Sequence, residues 1–209
     1  MAFPISKEAI LVFSKDGVIF HSEQVRLNVF EELFSDYPTH RDAIHKYNIK
    51  SVGLPAKMKF MHICGNILKL DNVEEKVDHY LRLTDMYLNL KLKQAELVDG
   101  AREFIYRHKK NTKFVCSEAK VEEIEEQLRY SNLREDFKEV YGHPHEKRDI
   151  LFSIKGRFEQ EIISFGHSVK DWKAAQEAGV QFIGIDASEH GHPLRGKPIH
   201  IIGSFNELM

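Results

Sequence analysis

The chain reads as an α/β protein: a parallel sheet core interrupted after its first strand by a helical insertion. Three features of the sequence predict this. From Gly100 onward, short apolar runs ending in polar residues alternate with helical patterns, the mark of βαβ units. From Gln24 to Leu92 the apolar residues recur at helical spacing and no strand pattern interrupts them. One apolar run, Ala9 to Phe13, lies before that helical stretch and is cut off by it from the other strands.

Ala9–Phe13 is bounded by charge and reads as a buried strand, and Gly17 lets the backbone turn sharply after it. Ser14 and Asp16 then fall at the carboxyl end of a strand, where open α/β sheets place their ligand chemistry. Gln24 to Asp36 carries Val25, Val29 and Leu33 at spacing four, an amphipathic helix that Tyr37-Pro38 ends. His40 to Asn48 is a shorter helix, Ser51 to Pro55 a turn, and Lys57 to Leu70 a third helix. Asn72 caps a fourth, long helix from Val73 to Leu92, with Val77, Leu81, Met86 and Leu90 keeping its period. Then follow helix Ala101–Lys109, strand Lys113–Cys116 ending at Ser117, and a helix with Val121, Ile124 and Leu128 on one face. Strand Phe137–Tyr141, helix Lys147–Phe158, strand Glu161–Phe165, helix Trp172–Ala178 and strand Gln181–Ile185 complete the pattern. The core is thus 1–20 plus 93–209 and the insertion 21–92, with the two chain crossings near Phe20–Ser22 and Leu90–Lys93 placed to act as a hinge.

Thirty basic and 32 acidic residues give a net charge of -2, which provides no electrostatic footprint for nucleic acid or an anionic membrane. No apolar run approaches the length that spans a bilayer. Cys64 and Cys116 fall inside predicted elements, so they read as buried free thiols in a reducing compartment, the cytoplasm.

The stretch around Ser14-Lys15-Asp16-Gly17-Val18 resembles the first motif of the haloacid dehalogenase-like superfamily, four apolar residues followed by Asp-x-Asp-Gly-(Thr/Val). Three more motifs follow in order. Ser117 matches the second-motif hydroxyl, Lys147 with Ile150 and Leu151 the third-motif lysine, and Gly166-His167-Ser168-Val169-Lys170-Asp171 the fourth, Gly-Asp-Ser-x-x-Asp. His143-Pro144 is a competing match for a Lys-Pro form of the third motif. Gly53-Leu54-Pro55 with Met58, Phe60 and Ile63 resembles a cap segment of the beta-phosphoglucomutase-like branch. The resemblance implies a Rossmann-like core and an α-helical cap that closes over the catalytic loops and selects the substrate.

In that superfamily the first aspartate attacks a phosphoryl group, the second protonates the leaving group and then activates water, and magnesium is held by carboxylates of the first and fourth motifs. Here Ser14 stands at the nucleophile position and His167 at a fourth-motif carboxylate, while Asp16 and Asp171 remain. A hydroxyl and an imidazole are poor ligands for a hard cation, and a phosphoserine hydrolyses far more slowly than an aspartyl-phosphate. The expectation is a member of the superfamily that is silent as a phosphatase and binds a phosphorylated small molecule, an inorganic anion or a protein partner. Ser14, Ser117 and Lys147 would then hold phosphate. The alternatives are an active phosphohydrolase using Asp16, or an altered hydrolase with a metal site containing histidine.

For that last alternative, strand-end geometry puts His21, His143, His145, His167, His190 and His192 on the Ser14 face, where three imidazoles converging with Asp16 or Asp171 would suit zinc or another transition metal, and Asp16, His167 and Asp171 are the candidate metal ligands within the motifs. The plainer reading of these histidines is surface polarity. Cys116 reads as core packing, and Trp172 as packing of its helix on the sheet. Lys91, Lys93 and the run Arg107–Lys113 read as a solvated face, Glu122, Glu123, Glu125 and Glu126 as the exposed side of a helix, and Ala187–Pro198, after Asp186, as a polar loop.

Overall fold

The computed structural model describes residues 4–51, 54–186 and 194–209. The chain divides into two compact units, Met1–Ser22 with Gln94–Met209, and Glu23–Lys93. Among the described residues no helix is long and apolar enough to cross a membrane.

The first unit is built on a six-stranded, all-parallel sheet of order β3-β2-β1-β4-β5-β6. The strands are β1 Ile10–Phe13, β2 Lys113–Lys120, β3 Glu139–His143, β4 Ile162–Gly166, β5 Gln181–Ile185 and β6 His200–Ile202. All four β1 residues are buried, as a central strand covered on both faces requires. Their alternation sorts two cores. Ile10 and Val12 join Phe114, Cys116 and the apolar faces of two helices, Lys147–Arg157 and Val169–Ala178. Phe13 points the other way, into a cluster with Phe104, Phe137, Phe165 and Phe205 whose ring centroids lie 4.8–6.2 Å from its own.

Helices α1 Ser22–Glu32, α2 Arg41–Lys50, α3 Ala56–His62 and α4 Val73–Lys91 belong to the insertion. Their core is aromatic: Phe30 stacks on Phe60 at 5.0 Å, and Phe34 meets Tyr80 at 4.5 Å. The helix expected over Lys57–Leu70 stops at His62 and passes into a π turn, Ile63–Ile67, that keeps Ile63 and Cys64 buried. Asn72 takes the left-handed conformation, and its side chain makes no capping bond to α4. Val52 and Gly53 of the expected turn lie outside the described residues.

In the core unit α5 Ala101–Arg107, α6 Val121–Tyr130, α7 Lys147–Arg157 and α8 Val169–Ala178 connect the strands. Strand β3 is shifted two residues from its expected place, and β2 runs on through Ser117 with an irregular register between Cys116 and Lys120. Lys113, expected on a solvated face, is buried, its ammonium donating to the His108 carbonyl at 2.7 Å. Glu123 and Glu125 are not idle surface acids either: Lys15 bonds Glu123 at 2.6 Å, and Arg129 and Arg134 bond Glu125 at 2.6 and 2.8 Å. Cys64 and Cys116 are buried free thiols, and burial pushes the Cys116 thiol up to about 12. Lys197 lies over the Trp172 ring, 5.1 Å from its centroid.

Candidate functional site

Strand order reverses between β1 and β4, and the crevice outside the carboxyl ends of such a pair is where doubly wound sheets bind ligands. Ser14 follows β1 and His167 follows β4. The Ser14 amide donates to the Phe165 carbonyl at 2.9 Å, carrying the β1–β4 pairing one residue further and burying Ser14. Beyond it the chain folds back, the Ile19 and Phe20 amides donating to the Lys15 carbonyl at 3.0 and 3.1 Å. Gly17 makes this turn possible, with φ of +68° and no room for a side chain: a Cβ would stand 2.6 Å from Cγ of His167. The His167 ring is therefore seated on the first-motif turn.

Across the switch point, Ser168 and Asp171 form a capping box that opens α8. The Asp171 amide donates to Ser168 Oγ at 3.1 Å, and the His167 and Ser168 amides donate to Asp171 Oδ2 at 3.0 and 3.1 Å. Gly166 lets the chain pass this close, since a Cβ there would stand 2.5 Å from that of Asp171. The other carboxylate oxygen of Asp171 accepts from Lys147 Nζ. Lys147, the first residue of α7, also donates to Ser14 Oγ at 2.8 Å. Lys147 thus ties the ends of β1 and β4 together, while His143, its competitor in sequence, is exposed at the end of β3.

Burial alone would lower the Lys147 ammonium, but the Asp171 carboxylate more than offsets this and holds it above the ordinary lysine value. Burial alone would raise the Asp171 carboxyl, but Lys147, then His167, then the backbone amides hold it down to about 2. The sign of the pH dependence follows. An unfolded aspartate titrates at its ordinary 3.8, so the stability that Asp171 adds is whole above that value and is lost as pH falls toward about 2. A melting-temperature series against pH is expected to fall more steeply through that window for the wild type than for Asp171→Asn.

His167 Nδ1 is buried, makes no hydrogen bond and lies 3.6 Å from Asp171 Oδ2. Asp16 and Lys15 form a separate pair, 3.3 Å between Nζ and Oδ1. Ser117 is buried and its Oγ accepts from the Ala119 amide at 3.3 Å, so its hydroxyl proton remains available. Lys15 has no counterpart among the residues predicted from sequence. A lysine between two polar motif residues reads as a solvated loop side chain, yet it is fully buried.

A family model described as haloacid dehalogenase-like hydrolase matches residues 11–185. The chain belongs to this family. No curated protein sequence matches it significantly. Among solved structures of the same fold are a predicted phosphoglycolate phosphatase of Haemophilus somnus, 16% identical, covering 98% of both chains, with a TM-score of 0.73, and the magnesium-bound HAD-hydrolase YfnB of Bacillus subtilis, 16% identical, covering 97% of both, with a TM-score of 0.65. A third is a mutant of CbbY from Rhodobacter sphaeroides in complex with xylulose-1,5-bisphosphate, 15% identical, covering 96% of both, with a TM-score of 0.64. At these identities the likeness is one of fold, a haloacid dehalogenase-like α/β core with a helical insertion.

Magnesium demands near-octahedral oxygen ligation. In this haloacid dehalogenase-like site the oxygens that would supply it are engaged otherwise. Asp171 accepts from an ammonium and two amides, Ser14 Oγ accepts from Lys147, Asp16 Oδ1 lies against the Lys15 ammonium, and an imidazole lies against the turn. The residues present do not fit magnesium. Nor do they fit the transition-metal alternative: among the described residues no three His, Cys, Asp or Glu side chains converge as ligands, so Asp16, His167 and Asp171 are not assembled as a set. His143 and His145 are exposed, and His190 and His192 lie outside the described residues.

Proposed function

We propose that this member of the family binds a phosphorylated small molecule or inorganic anion without metal and does not turn it over as a phosphatase. The observation that carries this reading is Lys147 bound at once to Ser14 and Asp171, with His167 seated on Gly17. An ammonium that donates to Ser14 Oγ has no lone pair with which to take its proton, so Ser14 is not activated as a nucleophile by its nearest basic group. Ser14, Ser117, Lys147 and the amides after Ser14 offer an anion hydroxyl and N–H donors together with a positive charge.

Charge supports the same reading. Against the family's motif pattern, Ser14 and His167 remove two carboxylates. That loss of two negative charges matches the two positive charges of the cation those carboxylates would hold. The metal-free site here therefore carries the same formal charge as a metal-loaded site with all four carboxylates, and a phosphate meets no added repulsion. Separately, the two free buried thiols, Cys64 and Cys116, support a reducing compartment, the cytoplasm.

Titration calorimetry with inorganic phosphate is expected to show saturable binding that is the same in EDTA and in magnesium, alongside no phosphate release from a panel of phosphate esters. Release that Asp16→Asn abolishes would establish the phosphohydrolase alternative instead.

A further inference from the structure

We propose that Lys15 is a positioning residue of this anion site: it draws the Asp16 carboxylate inward, off the bound anion, and Glu123 fixes Lys15 in the place from which it does so. The inference rests on reading Ser14, Ser117 and Lys147 as an anion site. The Lys15 side chain is 0% exposed, and a buried ammonium persists only where carboxylates compensate it. Its Nζ donates to Glu123 Oε1 at 2.6 Å and lies 3.3 Å from Asp16 Oδ1, close enough for charge pairing though not aligned as a hydrogen bond. Glu123 sits in the first turn of α6, which begins just beyond Ser117. The ammonium therefore fastens the turn after β1 to the helix after β2, joining the segments that carry Ser14 and Ser117.

Although the Asp16 side chain is 26% exposed as a whole, its Oδ1 is buried. The oxygen facing Lys15 is turned into the protein, not toward the crevice. Asp16 is only two residues from Ser14, and a carboxylate released toward a bound phosphate at a few ångströms would weaken it by about tenfold or more. Lys15 thus changes what Asp16 does in this chain, from an acid–base group in the family's pattern to the counter-ion of a buried lysine.

The test is calorimetry with inorganic phosphate in EDTA on the full chain, comparing wild type, Lys15→Met, Asp16→Asn and the Lys15→Met/Asp16→Asn double variant. Lys15→Met is expected to weaken phosphate about tenfold, while the double variant binds as tightly as Asp16→Asn alone, because no carboxylate remains to be restrained. A Lys15 of merely structural importance would weaken binding equally in both backgrounds, and that result overturns the proposal, as does wild-type affinity in Lys15→Met. Should Lys15→Met fail to fold, Lys15→Met/Glu123→Gln removes the buried charge together with its partner, and the same comparison with and without Asp16→Asn decides. A wild type that binds no phosphate brings down the anion reading itself and this role with it, an outcome distinct from binding that Lys15 does not affect.

Discussion

A Ser14→Asp/His167→Asp double variant is expected to release phosphate from small phosphate esters at least about 100-fold faster than the wild type, and only with magnesium present. Each change supplies what the other needs. Ser14→Asp alone offers a nucleophile whose acyl phosphate can be hydrolysed, but it adds a negative charge beside Asp171 with no cation to offset it. His167→Asp alone removes the imidazole from the Gly17 turn and restores a hard ligand, yet leaves a hydroxyl at the attacking position. Both single variants are therefore expected to stay at the wild-type level. Magnesium-dependent release in a colorimetric phosphate assay checks this. A double variant that binds magnesium and remains inert would show that the lost chemistry lies elsewhere in the site.

The sequence carries this site unevenly, for physical reasons. Ser14, Lys147, His167 and Asp171 stand out in the sequence as matches to the family's motifs, and the apolar runs before Ser14 and His167 mark strand ends, which a parallel sheet brings to one side whatever the details of packing. Strand β5 kept its predicted span, Gln181–Ile185, for the same reason. Strand β6 was not seen: His200–Ile202 is three residues long, too short to show any alternation. Lys15 and Glu123 were missed because their meaning lies in a contact 108 residues apart in the chain. Each one alone matches the pattern of a solvated side chain. Glu122-Glu123 reads as the exposed side of a helix, a sufficient local explanation that hides the longer-range contact. Likewise Ser168-x-x-Asp171 is a family motif and a capping box at once. Local sequence cannot separate the two roles, since the carboxylate oxygen that caps α8 and the one that takes Lys147 belong to a single side chain.

That double duty gives the second large prediction, which separates binding from folding. Lys147→Met is expected to abolish phosphate binding and also to destabilise the chain by about 3–5 kcal/mol, because it leaves Asp171 buried with its charge unpaired. Lys147→Met/Asp171→Asn removes both charges. An asparagine still accepts from the amides that open α8, so most of the lost stability is expected to return. Phosphate binding is not, because the positive charge and the donor facing Ser14 are gone. Denaturant melts of the wild type and the two variants measure the first quantity, and calorimetry with phosphate the second. Stability that recovers without binding assigns Lys147 to the ligand. Recovery of both would mean that the lysine serves the fold alone and that the anion is held by Ser14, Ser117 and backbone amides.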